Sequence, residues 1–155
     1  MADGSDDRDE SQDERLDRNW DELLQELRIT QTGLQLLSGF LLTLPFTSVF
    51  SGLDDTQKAL YLSLVLVAGV AVGLNMTPVM LHRRVFGEHV KERVVAVGHV
   101  VSQVVIAAVA LLVIGTATLI FSVVAGWTAG VLVAVGLALV LGVLLGVMPR
   151  RIEPR

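Results

Sequence analysis

Charge falls in islands along this 155-residue chain: no Asp, Glu, Lys or Arg stands from Ile29 to Leu53, from Ala59 to Leu81, or from Val94 to Met148. A bilayer-spanning helix takes about 20 apolar residues at about 1.5 Å each, so every gap is long enough to cross at least once. The last gap would measure about 80 Å as one helix, far more than the ~30 Å hydrocarbon core, and must fold back. The pattern therefore predicts an all-α integral membrane four-helix bundle, with spans near residues 30–50, 57–81, 94–121 and 127–148. Its last reversal should fall near Ser122 to Gly126. Pro45 removes a backbone donor and crowds the carbonyl of Leu41, so a kink or the end of regular helix is expected there.

Ahead of the first gap, residues 1–18 are acidic and without helical periodicity, which predicts a disordered acidic tail in front of a membrane domain over residues 19–155. Order is expected to begin at Asn19, three residues before Glu22 in capping-box spacing, with Trp20, Leu23, Leu24 and Leu27 forming one apolar face.

Composition sharpens this picture. Apolar residues make up 52% of the chain and charged ones 18%, which excludes a wholly disordered protein. The net charge of -4 averages two regions, since the first 29 residues are strongly acidic and the remainder is mildly basic. The absence of cysteine excludes disulfides, thiolate metal sites and a cysteine nucleophile. The acidic N-terminal stretch is opposite in sign to a secretory signal, so the first span is expected to be retained. With four spans, the tail, the His82–Arg93 island and the C-terminal end share one side and hold nearly all the bases, leaving only Lys58 opposite. The positive-inside rule then predicts a multi-pass plasma-membrane protein with both termini cytoplasmic. Phe46, Phe50, Tyr61, Phe121 and Trp127 fall at the predicted outer boundary, where aromatic side chains are favoured.

Five strongly polar residues remain inside the spans: Gln31, Gln35, Asn75, His99 and Gln103. All sit within about two turns of the predicted cytoplasmic helix ends. With Arg28 one turn before Gln31, they form a candidate polar cluster. It is either a pocket that binds a small ligand or passes protons through His99, or a set of interhelical hydrogen bonds; the second reading is preferred because such bonds are common in membrane bundles. A second pattern is steric. Gly130, Ala134, Ala138, Gly142 and Gly146 recur at four-residue spacing and predict a helix-packing ridge, within the bundle in preference to between subunits.

Readings that need more chemistry lose their parts one by one. His82, Glu88, His89 and Glu92 match no zinc spacing and stand among bases, so no metal is expected. Arg83, Arg84, Lys91 and Arg93 of that island are instead expected to touch anionic lipid headgroups. No nucleophile elbow, phosphate loop or dinucleotide fingerprint occurs, so neither an enzyme nor a cofactor is expected, and no nucleic-acid partner. A cation/proton antiporter ordinarily uses an ionisable residue within the membrane; the spans hold no Asp or Glu, and only His99 would serve. What remains is a non-enzymatic scaffold or accessory subunit, with a homo-oligomer or another membrane protein as partner. The alternative is a small oligomeric transporter or channel of the cation/proton type.

The string NWDELLQELRITQTGLQ from Asn19 to Gln35, with GFLLTLPF at Gly39 to Phe46 and PVMLHRRVF at Pro78 to Phe86, resembles an uncharacterised family of small four-helix membrane proteins of high-GC bacteria. The order and spacing of Glu22, Glu26, Arg28, Gln31 and Gln35 carry most of the likeness. Some members of that family bear an automatic sodium/proton antiporter label. The resemblance implies the fold and supplies no catalytic or binding residues.

Overall fold

The computed structural model describes residues 12–84 and 91–146. Within them the chain forms α1 (Gln12–Thr43), a 3-10 turn (Leu44–Phe46), α2 (Ser48–Ser51), α3 (Asp55–Arg84), α4 (Lys91–Ala125) and α5 (Trp127–Gly146).

Helix α1 starts seven residues before Asn19, which lies inside it and caps nothing. Residues 12–18 are thus helical, and the remainder of the acidic segment lies outside the described residues. The sequence supports this earlier start, because Glu14 stands four residues before Arg18 and acids suit the positive end of the helix dipole. At its other end α1 stops at Thr43, as Pro45 demands; the chain passes through the 3-10 turn and then an extended Thr47. The expected first span, 30–50, is therefore divided among three elements. The uncharged part of α1, Ile29 to Thr43, is about 22 Å long, short of the hydrocarbon core. Among the described residues three helices, over Asp55–Thr77, Val97–Ala125 and Trp127–Gly146, are long and apolar enough to cross a membrane, so five helices with three such spans stand there in place of the four expected.

The capping box lies at the start of α3. Asp54 Oδ1 accepts the backbone N–H of Gln57 at 2.7 Å, and Gln57 Oε1 accepts that of Asp54 at 3.0 Å. From there α3 buries Gln57, Tyr61, Leu64, Ala68, Ala71 and Asn75, alternating steps of four and three. This is the heptad seam of left-handed packing. Gln57 and Asn75 stand about 27 Å apart at the two ends of an apolar middle, close to the thickness of the hydrocarbon core.

Helix α4 occupies the centre. It touches α1, α3 and α5; α1 and α3 also touch each other, while α5 touches α4 alone. Leu34, Leu41, Leu64, Val105, Leu112 and Leu119 fill the space between α1, α3 and α4. Close approach relies on two glycines of α4 that the small-residue pattern does not single out: Gly98 faces Leu23 of α1 and Gly115 faces Leu64 of α3, each leaving no room for a Cβ. The reversal into α5 is made at Gly126, whose φ of 87° favours glycine and whose N–H reaches Ser122 O at 3.1 Å.

The expected ridge on α5 survives only at its start. Gly130 is buried against α4, where an added Cβ would stand 2.9 Å from Thr118 O. Ala134 is half-buried, Ala138 is exposed, and Gly142 and Gly146 face open space. Strict four-residue spacing advances about 40° per step around a helix of 3.6 residues per turn, so Gly146 lies nearly opposite Gly130. The face that meets α4 runs instead through Gly130, Val133, Ala134, Leu137 and Leu141.

Candidate functional site

The six residues of the predicted cluster share a depth but not a direction. Asn75, at the end of the α3 seam, is 2% exposed and joins α3 to α1: Thr30 Oγ1 lies 3.2 Å from Asn75 Oδ1, and Asn75 Nδ2 donates to Leu27 O at 3.4 Å. Gln31 and Gln35 belong to the same place. With Asn75, Ser38, Gly39, Leu42, Val72 and Met76 they line a groove of ≈ 530 Å³ between α1 and α3, open along one side. Ser38 Oγ is buried there without a hydrogen-bond partner among the described residues. Neither glutamine amide has a partner among the described residues, and Arg28 is exposed one turn before Gln31 on the same helix face.

His99 and Gln103 stand elsewhere, exposed on α4 and away from the groove lining. Their neighbours Gly98 and Ser102, one residue back and about 100° round the helix, are the ones that meet α1. The spacing of i and i+4 placed the two on one face of α4, but which face meets α1 depends on packing. Ser102 Oγ donates to Glu26 Oε2 at 3.2 Å, so Glu26 also ties α1 to α4. The side chains of His82, Arg83, Arg84, Glu88, His89, Lys91, Glu92 and Arg93 lie outside the described residues, as do Arg150, Arg151 and Arg155.

The opposite end of the bundle carries a polar clasp that sequence reasoning missed. Beyond its capping bonds, Gln57 Nε2 donates to Ser122 Oγ at 3.2 Å, and Trp127 Nε1 donates to Asp54 Oδ2 at 3.0 Å. The start of α3 is thereby fastened to the α4–α5 turn. The N–H of Gln57 and the indole of Trp127 hold the Asp54 carboxyl below its ordinary value of 3.8. One helix turn deeper, Tyr61 OH donates to Leu41 O at 3.0 Å, and its ring meets Phe50 edge-on at 5.2 Å. Leu41 O is the carbonyl whose usual donor, the N–H four residues on, is absent because residue 45 is proline. The D-x-x-Q string at Asp54–Gln57 was the available signal for the clasp, and the Tyr61 bond left none.

No curated protein and no solved structure matches the chain. A family model does match, over residues 9–149, and the chain belongs to that family, the family of unknown function DUF6328.

Proposed function

We propose that α1, continued by the 3-10 turn and α2, completes a fourth crossing beside the three long helices, and that this protein is thus a multi-pass plasma-membrane protein, with both termini in the cytoplasm, that acts without catalysis as a scaffold or accessory subunit. The observation that carries this reading is the filling of the bundle's middle. Between the polar groups at Gln57 and at Asn75, the space among α1, α3 and α4 is taken by Leu34, Leu41, Leu64, Val105 and Leu112, all but completely buried. Ion or proton passage needs polar or ionisable groups along the route, and leucine packed at protein density offers neither them nor room for water. Helix α5, packed against α4 and fastened at its first residue to Asp54, leaves most of its surface to lipid or to another membrane protein. Purification of the tagged full chain from native membranes in mild detergent should recover a partner in fixed stoichiometry. Recovery of the chain alone, together with pH-dependent cation flux in proteoliposomes, would overturn the reading.

A second reading, a transporter that works between copies, draws on His99 and Gln103, which stand exposed within the α4 span. Polar side chains on a membrane helix ordinarily face protein or a water-filled cavity. In that case His99→Ala abolishes flux while the folded protein remains in the membrane.

A further inference from the structure

We infer that the groove between α1 and α3 holds one phospholipid of the surrounding bilayer, its phosphate at Arg28 and one acyl chain running inward past Gly39. The inference rests on the chain lying in a membrane and not on the accessory role proposed above.

Three observations point to a lipid. The first is length. From Gln31 to Leu42 the α1 wall of the groove extends about 16 Å, half of a hydrocarbon core about 30 Å thick, so the groove spans one leaflet.

The second is the gradient of polarity along it. Gln31, Gln35 and Asn75 stand at the end nearest the charged part of α1, whereas Leu42 and Val72 lie deeper, the order in which a phospholipid presents its ester region and its chain. The two exposed glutamine amides carry donors without partners among the described residues. Ester carbonyls accept such donors, and an amide left unpaired in hydrocarbon is costly.

The third is charge. Arg28, Gln31, Gln35, Ser38 and Leu42 follow one another at steps of three and four, forming a stripe down one face of α1. Arg28 is exposed at its head, where a guanidinium meets phosphate well. Glu26 does not oppose it there, because its carboxylate points to the far side of the helix and receives the Ser102 hydroxyl. Gly39 adds room, since a Cβ built on it meets nothing within 4 Å and a chain can lie against the backbone.

The test titrates the full chain, purified in mild detergent, with dioleoyl phosphatidylglycerol and reads bound lipid by native mass spectrometry. One lipid per chain should be retained. Arg28→Gln should weaken retention about five-fold, as removal of one base near a membrane surface does. Gly39→Leu fills the path of the acyl chain and should weaken retention about ten-fold, equivalent to about two buried methylenes, while the circular dichroism spectrum stays that of the wild type. Gly136→Leu on α5, also free of neighbours within 4 Å, is the control and should bind as the wild type does. Wild-type retention by Gly39→Leu overturns the proposal, and so does inorganic phosphate that displaces the lipid at comparable concentration, because the groove would then be an anion site without a chain. Should Gly39→Leu fail to fold, Arg28→Gln at the exposed head of the stripe decides, and wild-type retention by that variant overturns the proposal equally.

Discussion

Removing the hydroxyl of Tyr61 asks one question of this fold: how much a proline inside a membrane domain depends on a side chain elsewhere. Pro45 deprives Leu41 O of its helical donor, and the Tyr61 hydroxyl takes that place at 3.0 Å. Interhelical hydrogen bonds in membrane proteins average about 0.6 kcal/mol and reach about 1.7 kcal/mol. Leu41 is only 1% exposed, so its carbonyl finds no water when the hydroxyl is lost, and Tyr61→Phe should fall near the top of that range, at about 1.5 kcal/mol. The edge-on contact with Phe50 is kept, because a phenyl ring replaces a phenol. In a Pro45→Ala background the restored N–H at residue 45 can serve Leu41 O, and the same change should cost only about 0.5 kcal/mol. The assay is reversible unfolding in mixed dodecyl sulfate and maltoside micelles followed by circular dichroism, with the four proteins compared as a double-mutant cycle. A coupling energy of about 1 kcal/mol is expected. Equal cost of Tyr61→Phe in both backgrounds would refute the reasoning, since the hydroxyl would then owe nothing to the proline.

Four further outcomes follow from the geometry. Gly130→Ala brings a Cβ within 2.9 Å of Thr118 O, a backbone atom with little freedom to move, and should destabilise by about 1–3 kcal/mol, whereas Gly142→Ala should not; thermal unfolding of both variants in one detergent makes the comparison. His99→Ala should change stability by less than about 0.5 kcal/mol, because the imidazole is exposed and makes no interhelical bond among the described residues; chemical unfolding in micelles checks this. The Asp54 carboxyl has a lowered pKa in the folded chain, so its contribution is fully present above about pH 3.8 and is lost as pH falls through the folded value. An unfolding series across that window should show a loss that Asp54→Asn abolishes. A reporter inserted at Gly52 should read external while fusions after Arg155 read cytoplasmic, as the distribution of basic residues requires.

The parts of the fold that were legible are those for which a local rule suffices. Pro45 announced the end of α1, and the length of the uncharged C-terminal stretch required a reversal, which Gly126 provides. Depth was legible too: Gln31, Gln35 and Asn75 do line one groove. Azimuth was not. The angular position of His99 and Gln103 on α4 is fixed by which residues of α4 admit Leu23 and Leu64, and those are glycines isolated in the sequence rather than repeated. The conspicuous four-residue repeat on α5 misled for a related reason, because a ridge that winds about 40° per step cannot stay on one contact. The α3 seam at steps of four and three is written plainly from Gln57 to Asn75, but a helix of small and branched apolar residues hides it. Asn19 shows the reverse case, an acceptable cap overridden by helix-forming residues upstream.

The placement of Asn75 and Gln57 at opposite ends of one helix has a consequence for biogenesis. Synthesis runs from the N-terminus, so α1 and α3 are both present before α4 exists. Asn75 then meets Thr30 and Leu27 at once, whereas Gln57 must wait for Ser122, sixty-five residues further along the chain. Tyr61, one turn from Gln57, also finds its partner Leu41 O on α1 before α4 is made, so α1 and α3 can pair along their length and only the bonds to α4 wait. Helix α4 then packs against that pair. Its arrival sets Gly98 and Gly115 against leucines already in place, and the Gly126 turn carries Trp127 back over Asp54 as the last fastening.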